Sequence, residues 1–195
     1  MSEKITNAVI LAAGMGSRLG EYNQNKPKGL LSIGSLPIIH ESIIKLNKVN
    51  IKDIILVTGY QDNLYDSYIK DNFDNIRIVK NKDYENTNTL TSLSKARDLI
   101  NNDFLLLESD LIYDFSALKE IIDYPGSDVV LLSNESGSGD EVYVETHKGR
   151  LVNMSKDIAK LSNYPTGEFV GINKISKNLF FEMMKLFDNS KDNKT

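Results

Sequence analysis

The feature that most constrains the fold is a short apolar run that passes directly into a glycine-rich loop. Residues Ala8–Ala12 are all apolar, and the chain continues Ala-Gly-Met-Gly-Ser-Arg, with glycines at positions 14 and 16. An apolar run of this length bounded by glycine predicts a buried strand that ends in a tight loop. Because glycine leaves backbone N–H groups uncovered, such a loop suits an anion. Arg18 and the later Lys26-Pro27-Lys28 add positive charge, so the sequence predicts a polyphosphate site.

The glycine spacing differs from the two best-known phosphate-binding patterns. The chain contains no Walker A segment, which needs four residues between a glycine and Gly-Lys-Ser/Thr. Gly14, Gly16 and Gly20 read G-x-G-x-x-x-G, one residue longer than the dinucleotide fingerprint. On the glycines alone, an ordinary strand-to-helix turn remains an alternative. The combination of L-A-A-G-x-G-S-R with a following K-P-K favours the phosphate site.

Length and composition predict one enzyme-sized domain, residues 1–195. The chain has 195 residues, a net charge of −4 and no cysteine. The acidic balance argues against a nucleic-acid partner, and the lack of cysteine excludes a disulfide framework and a thiol nucleophile. His40 and His147 lie far apart and form no ligand pattern. With no apolar run of about 18–20 residues and no signal-like N-terminus, we expect no membrane partner and a cytoplasmic location.

Apolar runs and segments of helical periodicity alternate along the chain. This alternation predicts an α/β fold, a mostly parallel Rossmann-like open sheet flanked by helices. Two predicted strands around Ser136-Gly137-Ser138-Gly139 indicate a small antiparallel addition near residues 128–145 or a mobile flap. The expected strands are Ala8–Ala12, Asp53–Val57, Ile76–Val79, Phe104–Leu107, Val129–Leu132, Glu141–Glu145 and Phe169–Ile172, and the expected helices are His40–Val49, Leu64–Asn72, Leu90–Ile100, Ser116–Ile122 and Asn178–Phe187.

Asp110 is the candidate metal ligand. It follows the apolar run Phe104–Leu107, and ligands of open α/β sheets collect at the carboxyl ends of the strands. Mg²⁺ prefers one or two carboxylates together with phosphate oxygens and water. Taken alone, Asp110 is as well explained as the cap of the following turn. Beside a phosphate loop, the metal role is favoured.

These motifs, in this order, resemble those of nucleotidyltransferases that join a nucleoside triphosphate to a phosphorylated small molecule and release pyrophosphate. The resemblance extends from Ile5 to about Phe187. It implies that Arg18 and Lys28 hold the triphosphate and its developing charge, and that Asp110 holds Mg²⁺ as the cofactor. It also implies a nucleotide-binding loop formed by Leu11, Ala12, Ala13, Gly14, Gly16 and Ser17.

A polar segment before a predicted helix is similar to one in phosphocholine cytidylyltransferase-like members of this family. Those members carry an asparagine followed four residues later by Ser-Leu, which Asn88, Ser92 and Leu93 match. The resemblance assigns Asn88 and Ser92, with Gly59 after another predicted strand, to nucleotide binding and favours CTP. An N-cap with polar surface residues is the alternative for the segment.

The later segments carry the residues that the resemblance assigns to the acceptor. Lys156 matches a lysine that holds the acceptor phosphate, and we count it with the catalytic residues. Carboxylates beside a lysine indicate an acceptor with a negative and a positive end. The chain has no tryptophan, which quaternary ammonium sites favour, so a primary amine fits better. The remaining candidates are Asp140, Glu141, Tyr143 and Glu168.

Together these segments are most similar to 2-aminoethylphosphonate cytidylyltransferases. The expected substrates are CTP and an amine-bearing phosphonate or phosphate. Phosphocholine, phosphoethanolamine, a sugar phosphate and inositol phosphate remain alternative acceptors, and a catalytically silent nucleotide-binding domain remains a third possibility. Family members supply a second metal-binding acid beyond the last helix, where this chain ends in a polar tail, residues 188–195. We therefore expect a C-terminally short chain, with possible fusion to a further domain.

Overall fold

The computed structural model describes residues 5–16 and 26–192, the side chains of residues 191 and 192 excepted. Strands and helices alternate through most of this part of the chain. The strands are β1 (Asn7–Ala12), β2 (Asp53–Thr58), β3 (Ile76–Lys80), β4 (Phe104–Glu108), β5 (Val129–Ser133), β6 (Tyr143–His147), β7 (Arg150–Ser155) and β8 (Gly167–Ile175), and the helices are α1 (Ile38–Lys48), α2 (Asp62–Asn72), α3 (Thr89–Ser94), α4 (Phe115–Asp123) and α5 (Lys177–Asp192).

The strands form one sheet with the order β3-β2-β1-β4-β8-β6-β7, and β5 pairs with β8 outside this path. Strands β3, β2, β1 and β4 run parallel to one another. Strand β1 lies between β2 and β4, so the loop after β1 and the turn after β4 emerge at the same edge of the sheet. The expected α/β fold with a parallel sheet flanked by helices is confirmed.

The core lies on both faces of the parallel strands. Ala8, Ile10 and Ala12 of β1 pack on one face, in a cluster that includes buried side chains of α1, α2 and α4. Val9 packs on the opposite face with buried side chains of α3 and α5. Successive strand residues point to opposite faces, and both faces are covered, so these strands read as continuous apolar runs.

The antiparallel part of the sheet is built on β8. Strands β5 and β6 both pair with β8 and do not pair with each other. Strand β6 also pairs with β7. The expected antiparallel addition is therefore present, with a different pairing and a further strand. Strand β7 was missed in the sequence because Arg150–Ser155 has no apolar alternation, and its side chains are mostly exposed.

Two expected helices differ in extent from those observed. The segment expected as one helix, Leu90–Ile100, divides into α3 and a separate 3₁₀ turn at Arg97–Leu99. Helix α5 continues to Asp192, so the polar segment that begins at residue 188 starts inside a helix. Asp188 accepts two hydrogen bonds from Arg97, each 3.0 Å long. Within residues 5–16 and 26–192, no helix has the length and apolar character needed to cross a membrane.

Candidate functional site

A cleft of about 390 Å³ opens where β1 and β4 end. Eight of the side chains or loop positions proposed from the sequence line it together, although they come from four separate segments of the chain. These are Leu11, Ala13, Gly14, Gly16, Lys28, Asn88, Ser92 and Asp110.

Lys28 and Asp110 form an ion pair across this cleft. The Lys28 Nζ lies 3.0 Å from an Asp110 carboxylate oxygen, and both side chains are a little over a quarter exposed. The stem of Lys28 runs along Gly16, because a Cβ at Gly16 would lie 2.8 Å from the Lys28 Cγ. Gly16 also has a φ of +65°, which favours glycine. The phosphate loop and the lysine of the second basic cluster are thus in direct contact.

A buried tyrosine packs against the chain neighbours of the two residues in this ion pair. Tyr65 of α2 is 1% exposed, and its side chain interacts with the Ser109 side chain and the Gly29 backbone. Burial raises the pKa of Tyr65 to about 12, more than its hydrogen bonds with Ser109 and Gly29 lower it. A Cβ at Gly29 would lie 2.7 Å from the Tyr65 hydroxyl oxygen and 3.0 Å from the Ser109 carbonyl oxygen. Tyr65 therefore packs against Gly29, which follows Lys28, and against Ser109, which precedes Asp110.

The first turn of α3 forms another wall of the cleft. The Asn88 side chain accepts a 3.0 Å hydrogen bond from the Thr91 N–H, so Asn88 is also the helix N-cap. The Ser92 hydroxyl accepts a 3.1 Å hydrogen bond from the Asn81 side chain, which also donates to Thr87. Capping and cleft lining occur in the same residue, so the two interpretations of this segment are compatible.

The remaining nucleotide-site candidates lie elsewhere. Ala12 packs in the core with the side chains of one sheet face. Gly59 lies behind the loop, because a Cβ there would be 2.8 Å from the Ala13 carbonyl oxygen, and the Tyr60 N–H donates to that same oxygen. Gly59 thus contacts the loop from outside the cleft. Ser17 and Arg18 lie outside the described residues.

The five acceptor candidates form a separate group around β6 and β8, and they are not among the described residues that line the cleft. The Lys156 Nζ lies 2.6 Å from the Asp140 Oδ1. The Glu141 carboxylate accepts a 2.8 Å hydrogen bond from the Gly139 N–H, which lowers the pKa of Glu141. These contacts lie within and beside the loop between β5 and β6.

Glu168 and Tyr143 lie opposite each other in the antiparallel pair of β6 and β8. Glu168 is 6% exposed, and its carboxylate accepts hydrogen bonds of 2.7 and 2.8 Å from the N–H and hydroxyl of Ser136. Desolvation, followed by the charges of Glu141, Glu168 and Glu135, raises the pKa of the Tyr143 hydroxyl. In this structure Glu168 anchors the loop between β5 and β6 to the sheet.

The cleft holds two carboxylates that suit a hard cation. Asp110 and Glu108 line it together, and Mg²⁺ commonly takes one or two carboxylates and completes its shell with phosphate oxygens and water. Among the described residues, no group of three or more histidine or acidic side chains is arranged to hold a metal ion by itself. The donor set therefore fits a metal that arrives with a nucleotide.

Six further residues line the cleft and were not among the sequence candidates. Tyr84 and Thr87 belong to the polar segment before α3, and Thr89 is the first residue of that helix. Glu108 and Ser109 lie beside Asp110, so proximity to a motif could have indicated all five. Tyr65 lies in the middle of an amphipathic helix, where a tyrosine reads as a core residue. The six are Tyr65, Tyr84, Thr87, Thr89, Glu108 and Ser109.

Several curated proteins are similar to this chain in sequence. The chain is 32% identical over 128 residues to CMP-5'-(3-aminopropyl)phosphonate synthase of Streptomyces rubellomurinus, covering 65% of this chain and 20% of that protein. It is 35% identical over 106 residues to choline-phosphate cytidylyltransferase of Haemophilus influenzae, covering 54% and 44%. It is 30% identical over 108 residues to 2-aminoethylphosphonate cytidylyltransferase of Lancefieldella rimae, covering 55% and 44%. The chain thus spans less than half the length of these curated relatives.

A solved structure confirms the fold, and a family model covers most of the chain. The inositol-1-phosphate CTP transferase from T. maritima superposes with a TM-score of 0.78 at 22% identity, covering 91% of this chain and 73% of that one. The model of the MobA-like NTP transferase domain matches residues 8–168, which include the glycine loop, Lys28, Asp110 and Glu168. The chain therefore belongs to the nucleotidyltransferase family with a MobA-like NTP transferase domain, and its relatives include cytidylyltransferases.

Proposed function

We propose that the chain catalyses CTP-dependent transfer of a cytidylyl group to 2-aminoethylphosphonate, which gives CMP-2-aminoethylphosphonate and pyrophosphate. The observation that carries the reaction class is the cleft in which Lys28 and Asp110 meet beside the glycine loop. Two relatives named for aminoalkylphosphonates support the acceptor. Most of the nucleotide candidates line the cleft, and the acceptor candidates lie around β6 and β8.

The proposed reaction is a single in-line displacement. An oxyanion of the acceptor phosphonate forms a bond to the α-phosphorus of CTP, and the bond from that phosphorus to the bridging oxygen breaks. Pyrophosphate leaves with the electron pair. Lys28 neutralises charge on the phosphates, and the backbone of the glycine loop positions them. The chain contains no cysteine, and the roles of Lys28 and the loop are positioning and charge stabilisation rather than nucleophilic attack.

Asp110 would hold Mg²⁺ against the phosphates of CTP. The ion would neutralise phosphate charge during the transfer. Because the Lys28 Nζ lies 3.0 Å from Asp110, Lys28 has to exchange this carboxylate for phosphate oxygens when nucleotide and metal are bound. The exchange leaves both groups paired with opposite charge.

Phosphocholine is the second candidate acceptor, favoured by the 35% identity to a choline-phosphate cytidylyltransferase. A quaternary ammonium cannot donate a hydrogen bond and is best held by aromatic faces, tryptophan above all. The chain has no tryptophan, and Val142 stands where the resemblance leads us to expect one. A primary ammonium, which carboxylates can hold by hydrogen bonds, therefore suits this chain better.

Pyrophosphate release, measured with CTP, Mg²⁺ and a panel of acceptors, tests the proposal. We expect the highest kcat/KM with 2-aminoethylphosphonate and lower values with phosphocholine, phosphoethanolamine and sugar or inositol phosphates. A preference for another acceptor would overturn the proposed substrate. CTP binding without turnover of any acceptor would instead indicate a silent nucleotide-binding domain. With a chiral α-phosphorothioate of CTP, inversion at phosphorus is expected, and retention would exclude a single displacement.

A further inference from the structure

Glu108 is a carboxylate of the cleft to which the motifs assign no role. It is the last residue of β4, its side chain is exposed, and it lines the cleft with Lys28 and Asp110. Strand β4 pairs antiparallel with β8 up to Leu107 and Ile172, so the next opposed pair in that register is Glu108 and Gly171. Glu108 thus stands between the phosphate side of the cleft and strand β8.

Gly171 lets β8 approach this carboxylate closely. A Cβ at Gly171 would lie 3.4 Å from the Glu108 carboxyl carbon and 3.2 Å from a methyl carbon of Leu111. Gly171 has a φ of +91°, a conformation that side chains rarely adopt. The backbone of β8 therefore turns at the point where it passes Glu108, and the same strand carries Glu168 three residues earlier.

The carboxylates expected to hold the acceptor amine lie near β6 and β8, and none of them is among the described residues that line the cleft. Asp140 pairs with Lys156, Glu141 accepts from the Gly139 N–H, and Glu168 accepts two hydrogen bonds from Ser136. The described residues that line the cleft itself include two carboxylates, Glu108 and Asp110.

We propose that Glu108 binds the ammonium group of the acceptor and so determines specificity for an amine-bearing substrate. This inference rests on the proposed function. Only two carbons separate nitrogen from phosphorus in 2-aminoethylphosphonate, so the amine stays near the oxyanion that attacks CTP. Its partner has to be a carboxylate close to the phosphate site. Glu108 lies two residues from Asp110, which pairs with Lys28. An ammonium beside Glu108 would lie next to β8, the strand that carries the acceptor candidate Glu168.

The test compares 2-aminoethylphosphonate with propylphosphonate, in which a methyl group replaces the ammonium group. We expect Glu108→Gln to lower kcat/KM for 2-aminoethylphosphonate about 10- to 100-fold, the usual effect of losing a hydrogen bond between charged groups. The inhibition constant of propylphosphonate against 2-aminoethylphosphonate and the KM for CTP should change less than about threefold. The matched control is Glu182→Gln, because Glu182 lies on α5 and pairs with Lys185. It should leave all three constants unchanged.

The outcomes separate the two proposals. Suppose that the unmodified protein turns over 2-aminoethylphosphonate and that Glu108→Gln prefers it over propylphosphonate as strongly as the unmodified protein does. The assignment of Glu108 is then wrong, while the proposed function stands. If Glu108→Gln weakens both phosphonates equally and raises the Mg²⁺ concentration needed for activity, Glu108 is a metal ligand instead. If the unmodified protein prefers an acceptor without an amine, the proposed function itself fails.

Discussion

Gly29, next to the cleft residue Lys28, leaves no room for a methyl group. An alanine at position 29 would place its Cβ 2.7 Å from the Tyr65 hydroxyl oxygen, 3.0 Å from the Ser109 carbonyl oxygen and 3.1 Å from the Ser109 Cβ. Two of these three atoms belong to Ser109, in the turn that carries Asp110, and its carbonyl oxygen is a backbone atom. Relief therefore requires the segment after Lys28 to move away from that turn.

We expect Gly29→Ala to lower the free energy of unfolding by about 2 kcal/mol, the middle of the usual range for overpacking a buried site. For a chain of this size, that loss lowers Tm by about 4–8 °C. Tyr65→Phe should cost about 1 kcal/mol, because it removes the hydroxyl and leaves its partners without it. It also removes the atom nearest to the new methyl group.

The loss of unfolding free energy in the double variant should therefore be about 1 kcal/mol smaller than the sum of the losses in the two single variants. Urea unfolding of the four proteins, compared at constant m-value, measures this coupling. Gly14→Ala is the control, because no atom lies within 4 Å of a Cβ at that position, and it should change stability little. Strict additivity of Gly29→Ala and Tyr65→Phe would refute the contact between the two residues as the origin of the effect.

Three further results follow from the cleft. Lys28→Ala should lower kcat about 100-fold or more through loss of a charge contact in the transition state, with little change in Tm because its ion pair is partly exposed; near-normal turnover would remove Lys28 from the site. Asp110→Asn should raise the Mg²⁺ concentration needed for half-maximal activity, and calorimetry should show weak Mg²⁺ binding without CTP, whereas tight binding to the empty protein would contradict the metal assignment. The free energy of unfolding should fall between pH 10 and 12, because the unfolded chain loses the Tyr65 proton near pH 10 and the folded chain retains it to about pH 12. Urea unfolding at pH 9 and pH 11 measures this fall, and Tyr65→Phe should reduce it. An equal fall in Tyr65→Phe would count against the buried hydroxyl as its cause.

Local sequence predicted the parallel part of the fold well. Strands β1, β2 and β4 are apolar on both faces, so their runs are visible without any knowledge of their partners. The antiparallel part is different, because β5, β6 and β7 depend on their pairing with β8 and with each other. Arg150–Ser155 is a strand through these long-range hydrogen bonds rather than through its own apolar pattern.

The candidate site shows the same division. The motifs predicted that Gly16, Lys28 and Asp110 lie close together, and all three line the same cleft. Tyr65 could not be predicted, since its importance comes from packing against residues 44 positions away along the chain, at Ser109. The hydrogen bonds between Glu168 and Ser136 could not be predicted either. A glutamate in the sequence does not show whether it binds a substrate or anchors a loop.

The order of segments along the chain has a consequence for how substrate choice can change. The described cleft residues lie between positions 11 and 110, whereas all the strands of the antiparallel part lie between positions 129 and 175. One continuous stretch of chain therefore carries the proposed acceptor candidates. Recombination between related enzymes at two points, before β5 and after β8, would transplant that stretch without interrupting the nucleotide half. Chimeras exchanged at these two boundaries, with and without a change at Glu108, would show how much of the acceptor choice this stretch carries on its own.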